Sequence, residues 1–157
     1  MRMLLACAAA ALLAASCSSS QPTFSVTGAS VDPTYWCPGG ANNAPYDLRA
    51  SIVAHNGTAH AVTIDSITAD MKLAAVKGSW LEAVGDHYDA GTVKFDPTTV
   101  AAGSTATISA TIQSACTSGK YGSSLTSSGD YVVTMRVSTS AGTYSIAARN
   151  HHQILAA

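Results

Sequence analysis

From residue 22 onward, apolar residues recur at every second position, the repeat of a strand that buries one face. No stretch carries the 3.6-residue repeat of an amphipathic helix. Phe24 and Val26 alternate with Ser25 and Thr27 until Gly28 interrupts them. Tyr46, Leu48, Ala50, Ile52 and Ala54 form the longest stripe, opposed by Asp47, Arg49, Ser51, Val53 and His55. Asn56-Gly57 follows, the strongest short-range turn signal. Val62 and Ile64 share one parity, while Ile67, Ala69, Met71 and Leu73 share the other. A bulge or a change of sheet is therefore expected at Asp65-Ser66. Val93-Lys94-Phe95 is a short strand stopped by Asp96-Pro97, and Ala101-Ala102-Gly103-Ser104 makes a turn. Ala106, Ile108, Ala110 and Ile112 alternate with polar residues, then a Ser/Gly-rich loop covers residues 117–129. Tyr131, Val133, Met135 and Val137 form the next stripe, and Ala141-Gly142 turns the chain into Tyr144, Ile146 and Ala148. Seven or so half-buried strands with turns between them predict an all-β fold, a two-layer antiparallel sandwich.

Composition narrows the function classes. The 157 residues fit one domain after a leader is set aside. Lys and Arg number 8 against 9 Asp and Glu, for a net charge of −1. Losing Arg2 with the leader leaves seven basic residues against nine acidic, near −2. So flat a balance excludes a basic nucleic-acid footprint and a strong field for anionic ligands. Apolar residues at 47% exclude wholesale disorder, and aromatics at 6% leave the core to Val, Ile, Leu and Ala.

The N-terminus has its own pattern. Arg2 precedes an uninterrupted apolar run from Leu4 to Ala15, too short for a helix across a bilayer, which takes about 20 residues. The run has the length of a secretory signal core. It ends at Ala14-Ala15-Ser16-Cys17, followed by Ser18-Ser19-Ser20-Gln21-Pro22. Small residues before a cysteine and a polar tether after it resemble a bacterial lipoprotein processing site. The resemblance departs at Ala14, where the family prefers Leu. It implies a signal peptide over residues 1–16, diacylglycerol on Cys17, a tether over 17–22 and a folded domain over 23–157. An ordinary secretory signal cut after Ser16 is the alternative, giving a secreted or periplasmic protein. That alternative leaves Cys17, Cys37 and Cys116, an odd set in an oxidising compartment. Lipidation of Cys17 removes the odd thiol, and Cys37 and Cys116 can then pair. Ser18 lacks the Asp that resembles an inner-membrane retention signal, so the expected place is the outer membrane or cell surface.

Two details resemble immunoglobulin-like sandwiches. Gly129-Asp130-Tyr131 opens a strand in the manner of a tyrosine corner, whose phenol bonds an upstream backbone group. Phe95-Asp96-Pro97 through Ala102-Gly103-Ser104 resembles the connection between the fourth and fifth strands of bacterial Ig-like surface domains. The positions of the antibody intersheet disulfide hold Ile52 and Val133 instead. Fibronectin-type domains lack that bond too.

Candidate chemistry is sparse. His55 and His60 flank the Asn56-Gly57 turn, and His151-His152 lie beyond the last expected strand, so a copper or zinc site would draw on these four. No ligand spacing recurs among them, and Met71 and Met135 have core parity. Asp86-His87-Tyr88-Asp89, with Glu82 nearby, is the one titratable cluster, and its position predicts a solvated loop tip. There is no Gly-x-Ser-x-Gly elbow, no phosphate-cradling glycine loop and no cysteine left to act as nucleophile, so no enzyme and no cofactor are expected. Tyr35, Trp36 and Trp80 are candidate contacts for envelope protein or glycan. Against that, Trp36 would cover the cystine and Trp80 would cap the core. The expectation is a non-catalytic, lipid-anchored envelope module held to the membrane through Cys17, with a periplasmic metal-binding protein as alternative.

Overall fold

The computed structural model describes residues 23–118 and 127–156. The expected signal peptide, Cys17 and its tether lie outside the described residues, as does most of the Ser/Gly-rich loop. Each stripe forms a strand, and the described residues contain no helix. The strands are β1 (Phe24–Val31), β2 (Thr34–Cys37), β3 (Ala44–Asn56), β4 (Val62–Lys77), β5 (His87–Thr92), β6 (Lys94–Asp96), β7 (Thr99–Val100), β8 (Thr105–Cys116), β9 (Ser127–Thr139), β10 (Gly142–Ala147) and β11 (His152–Ala156).

They build two sheets. One has the order β1-β3-β8-β6. The other runs β2-β11-β9-β4-β5, with β10 also on β9 and β7 on β4. Neighbours are antiparallel except β2, which lies parallel to β11. The inward stripes meet between the sheets: Leu48, Ile52, Ile67, Leu73, Ile108, Ile112, Val133 and Met135 are all fully buried. Each such side chain contributes roughly 1.5–3 kcal/mol of transfer free energy. This is an immunoglobulin-like sandwich.

Chain segments that change sheets close the sides. β1 pairs with β3, then Asp32-Pro33 carries the chain across to β2 beside β11. In the same way β5 lies on β4 and β6 on β8, with Val93 N–H still donating to Ile67 of the second sheet. β10 and β11 flank the same side of β9, interrupted where Arg149 N–H turns to the Ala29 carbonyl of β1. There the Asn150 amide brackets Val31, accepting from its N–H at 3.1 Å and donating to its carbonyl at 2.7 Å.

Four local expectations need correction. Asn56-Gly57 does not close a hairpin, because β3 and β4 belong to different sheets. Asn56 is buried, and its amide donates to the carbonyls of His60, Val100 and Ala101, so it braces an arch between layers. Gly28 does not end its strand: the register shifts there and β1 runs on to Val31. The stretch after His151 is the strand β11 rather than a tail beyond the last strand. His87-Tyr88-Asp89 belongs to the edge strand β5. The bulge at Asp65-Ser66 is present, with β4 staying on β9 throughout.

The sandwich has two poles. Phe24 pairs with Asn56, so the chain enters at the pole holding the β3–β4 arch. Cys37, Ala44, Lys77, Cys116 and Ser127 lie at the other, the far pole. The thirteen residues of β3 separate the poles by roughly 40 Å at about 3.3 Å per residue.

Candidate functional site

The far pole is tied together by the cystine. Cys37 in β2 and Cys116 in β8 are bonded, with Cα atoms 5.9 Å apart, so the bond joins the two sheets. Ser118 accepts from Ala41 N–H at 3.1 Å and donates to the Pro38 carbonyl, which clasps the turn after Cys37 against the end of β8.

Beside the cystine lies a cleft, of about 140 Å³ where Trp80, Leu81, Glu82 and Tyr131 line it. It continues past Tyr88 along two further hollows. The loop from residue 78 to residue 86 forms one wall. Gly85 N–H donates to the Leu73 carbonyl, and Leu73 N–H to the Asp86 carbonyl, so the loop folds back onto the end of β4. Gly85, at φ +102°, and Gly78, at φ +69°, take backbone conformations that side-chain-bearing residues resist. Asp86 accepts from Ala83 N–H at 2.8 Å and holds the tip closed.

Tyr131 organises the cleft floor. Its hydroxyl donates to the Glu82 carboxylate, and the Trp80 indole N–H donates to the same hydroxyl at 3.1 Å. Burial, reinforced by the bond to a carboxylate, pushes the Tyr131 phenol well above its usual range. The tyrosine-corner resemblance is thus corrected. Its phenol reaches a side-chain pair on the loop after β4, not an upstream backbone group. Trp80 lies flat over Gly129, where a Cβ would stand 2.5 Å from the ring. Trp80 caps the core, and the loop tip presents Leu81 at 63% and Val84 at 58% exposure.

Tyr35 and Trp36, neighbours in β2, part company. Tyr35 turns inward and stacks on Tyr46, ring centroids 3.8 Å apart. Trp36 is 58% exposed on the outer face beside Leu155, with parity opposite to Cys37, so it does not cover the cystine from within.

The histidines are dispersed. His55 Nδ1 meets the Thr105 hydroxyl at 3.0 Å, and His60 is exposed in the arch. His151 Nδ1 pairs with Asp130 at 2.7 Å, and His87 Nδ1 with Asp70 at 2.9 Å. His152, 1% exposed, has both ring nitrogens engaged, Nδ1 with the Asp32 carbonyl and Nε2 with the Tyr46 hydroxyl. Among the described residues no three His, Cys, Asp or Glu side chains converge on one point.

Of the aromatics Tyr35, Trp36 and Trp80 only Trp80 lines the cleft, and Glu82 and Tyr88, expected at a solvated loop tip, complete it with Tyr131. Only the parity of Tyr131 marked it as inward, and nothing local linked it to Glu82, 49 residues away.

No family model matches the chain, and no curated protein matches it by sequence. Among solved structures it is similar to the ASH / PapD-like domain of human CEP192 (PapD-like domain 7), at 11% identity. The TM-score is 0.32 over 100% of this chain and 98% of that one, a likeness that carries no function across.

Proposed function

We propose that the protein is a non-catalytic, lipid-anchored module of the bacterial cell envelope, presenting its far pole to an envelope partner. The observation that carries this reading is the cystine. Cys37 and Cys116 are bonded to each other, which suits an exported protein. Their pairing leaves Cys17 as the single cysteine beyond the leader, next to the small residues and polar tether of a lipidation site. Further support comes from position. The chain enters the sandwich at one pole, and the exposed Trp36, Leu81, Val84 and Tyr88 gather toward the other half. An anchor at Cys17 holds the first pole near the bilayer and points the cleft away from it.

Fractionation tests the anchor. Stable attachment needs more than one acyl chain, which a diacylglyceryl cysteine supplies. Cys17→Ser should leave a folded protein that moves from membrane to soluble fractions, or one that stays unprocessed. A correctly cleaved Cys17→Ser protein that still sediments with membranes would overturn the lipid anchor.

A further inference from the structure

The first sheet is incomplete at its far end. β6 covers β8 only opposite Ser109, Ala110 and Thr111, and stops at Lys94. Beyond it, Ile112 to Cys116 pair with β3 on one side and have no strand on the other among the described residues. The Gln113 carbonyl faces that open side, because the Tyr88 hydroxyl reaches it at 3.4 Å. A residue in a strand points its N–H and C=O the same way, and the two-residue repeat gives Ala115 the same direction. Two residues' worth of ladder groups therefore lie along the cleft, and among the described residues one long hydroxyl contact guards them. Such an edge is a template for another strand.

The surroundings specify what would add there. Leu81, Tyr88 and Ala115 give the hollow apolar walls, suited to every second side chain of an extended segment. The hollows are lined by carboxylates, Asp47 on the outer face of the first sheet and Glu82 and Asp86 on the rim beside His87. Arg49 and Lys94 lie at the next row of that outer face, both opposite Thr111. No Lys or Arg lines any of these hollows, and among the described residues no carboxylate pairs with one.

We propose that the far half of β8 receives an extended, cationic segment of a partner protein, which adds as a short strand beside Gln113 and Ala115. Its main chain takes the open ladder groups, its apolar side chains enter the cleft, and its Lys or Arg side chains meet Asp47, Glu82 and Asp86. This inference rests on the envelope-module reading and names the chemistry of its partner.

The test uses the full, processed protein in a non-ionic detergent and two capped nine-residue peptides, one alternating Lys and Val, the other Glu and Val. The Lys peptide should bind, with the amides of Gln113 and Ala115 gaining protection from hydrogen exchange. The Glu peptide should bind at least about tenfold more weakly, and added salt should weaken the Lys peptide. Gln113→Pro removes the outward N–H while sparing the pairing with β3, and should weaken binding by about tenfold. Tyr88→Phe removes the competing hydroxyl and keeps the wall, so binding should strengthen about two- to threefold. If Gln113→Pro does not fold, Tyr88→Phe and Asp47→Asn still carry the test, since they should shift affinity in opposite directions. Equal binding of both peptides, or a folded Gln113→Pro protein with unchanged affinity, would overturn the proposal. So would binding to purified peptidoglycan, or self-association in the ultracentrifuge, that Tyr88→Ala abolishes, since the occupant would then be a glycan or a second copy. The peptide assay reads the far pole whether or not Cys17 carries lipid, so its failure is distinct from failure of the anchor.

Discussion

The Tyr46 hydroxyl donates to His152 Nε2 at 2.9 Å, joining the start of β3 in one sheet to β11 in the other. The direction follows from the second ring nitrogen. Nδ1 lies 2.7 Å from the Asp32 carbonyl, which can only accept, so Nδ1 carries the proton and Nε2 is the acceptor. A protonated ring would reverse the Tyr46 bond, the hydroxyl then accepting from Nε2–H, and would place a charge in the core.

Stability should therefore fall with acid. Burial lowers the His152 pKa below its ordinary value of 6.5. An unfolded chain takes up this proton near pH 6.5 while the folded chain resists it. The contribution of neutral His152 is thus complete above that pH and is lost as pH falls below it. One proton sets a ceiling of about 1.4 kcal/mol per pH unit on the slope. Urea unfolding at pH 8 and pH 5 should show a larger loss for the native protein than for His152→Gln.

The phenols should limit stability at the alkaline end. Burial pushes Tyr46 up to about 12 and Tyr131 higher still, whereas unfolded tyrosines ionise near pH 10. Their neutral forms stabilise the fold below pH 10, and that contribution is lost as pH rises above it. Phenolate absorbance should show two tyrosines that ionise only as the protein unfolds. Tyr131→Phe, which deprives Glu82 and Trp80 of a shared partner, should cost about 1–3 kcal/mol in urea.

The cystine closes a separation of 79 residues. Reduction, or Cys37→Ala with Cys116→Ala, should cost roughly 2–5 kcal/mol, a large share of the stability of a domain this size. Mass spectrometry of the non-reduced exported protein should recover the two cysteine peptides linked. Recovery of both thiols free would remove the main support for the envelope reading.

Gly129 makes room for Trp80. Gly129→Ala would set a methyl 2.5 Å from the indole, a rigid ring that cannot swing aside without leaving the core. The variant should lose about 1–3 kcal/mol. Its tryptophan emission should shift to the red as Trp80 enters water. An unshifted spectrum would mean that the loop carrying Trp80 is not held as described.

The alternating stripes foretold most of the sandwich because a strand with one buried face must alternate, whatever its partner. Tyr46 through Ala54 and Tyr131 through Val137 face inward as their parity required, and the parity change at Asp65-Ser66 is a bulge. The cysteine count anticipated the 37–116 bond. Short elements escaped the same logic. β2 and β11 are four and five residues long, and each is a strand because the other lies beside it, more than a hundred positions away. Asn56-Gly57 has the chemistry of a hairpin turn, yet the stripes on either side of it bury their faces in opposite layers.

Composition and periodicity thus decide that this chain is all-β, which residues face the core and where strands bend, since all three follow from local geometry and the cost of exposing apolar surface. Which sheet each strand joins, that His152 is buried with both ring nitrogens bonded, and that Trp80, Glu82, Tyr88 and Tyr131 surround one cleft are decided only when distant segments meet. The reason is physical. Pairing across a sandwich depends on which edges remain open after the long strands have packed, and no window of neighbouring residues contains that information.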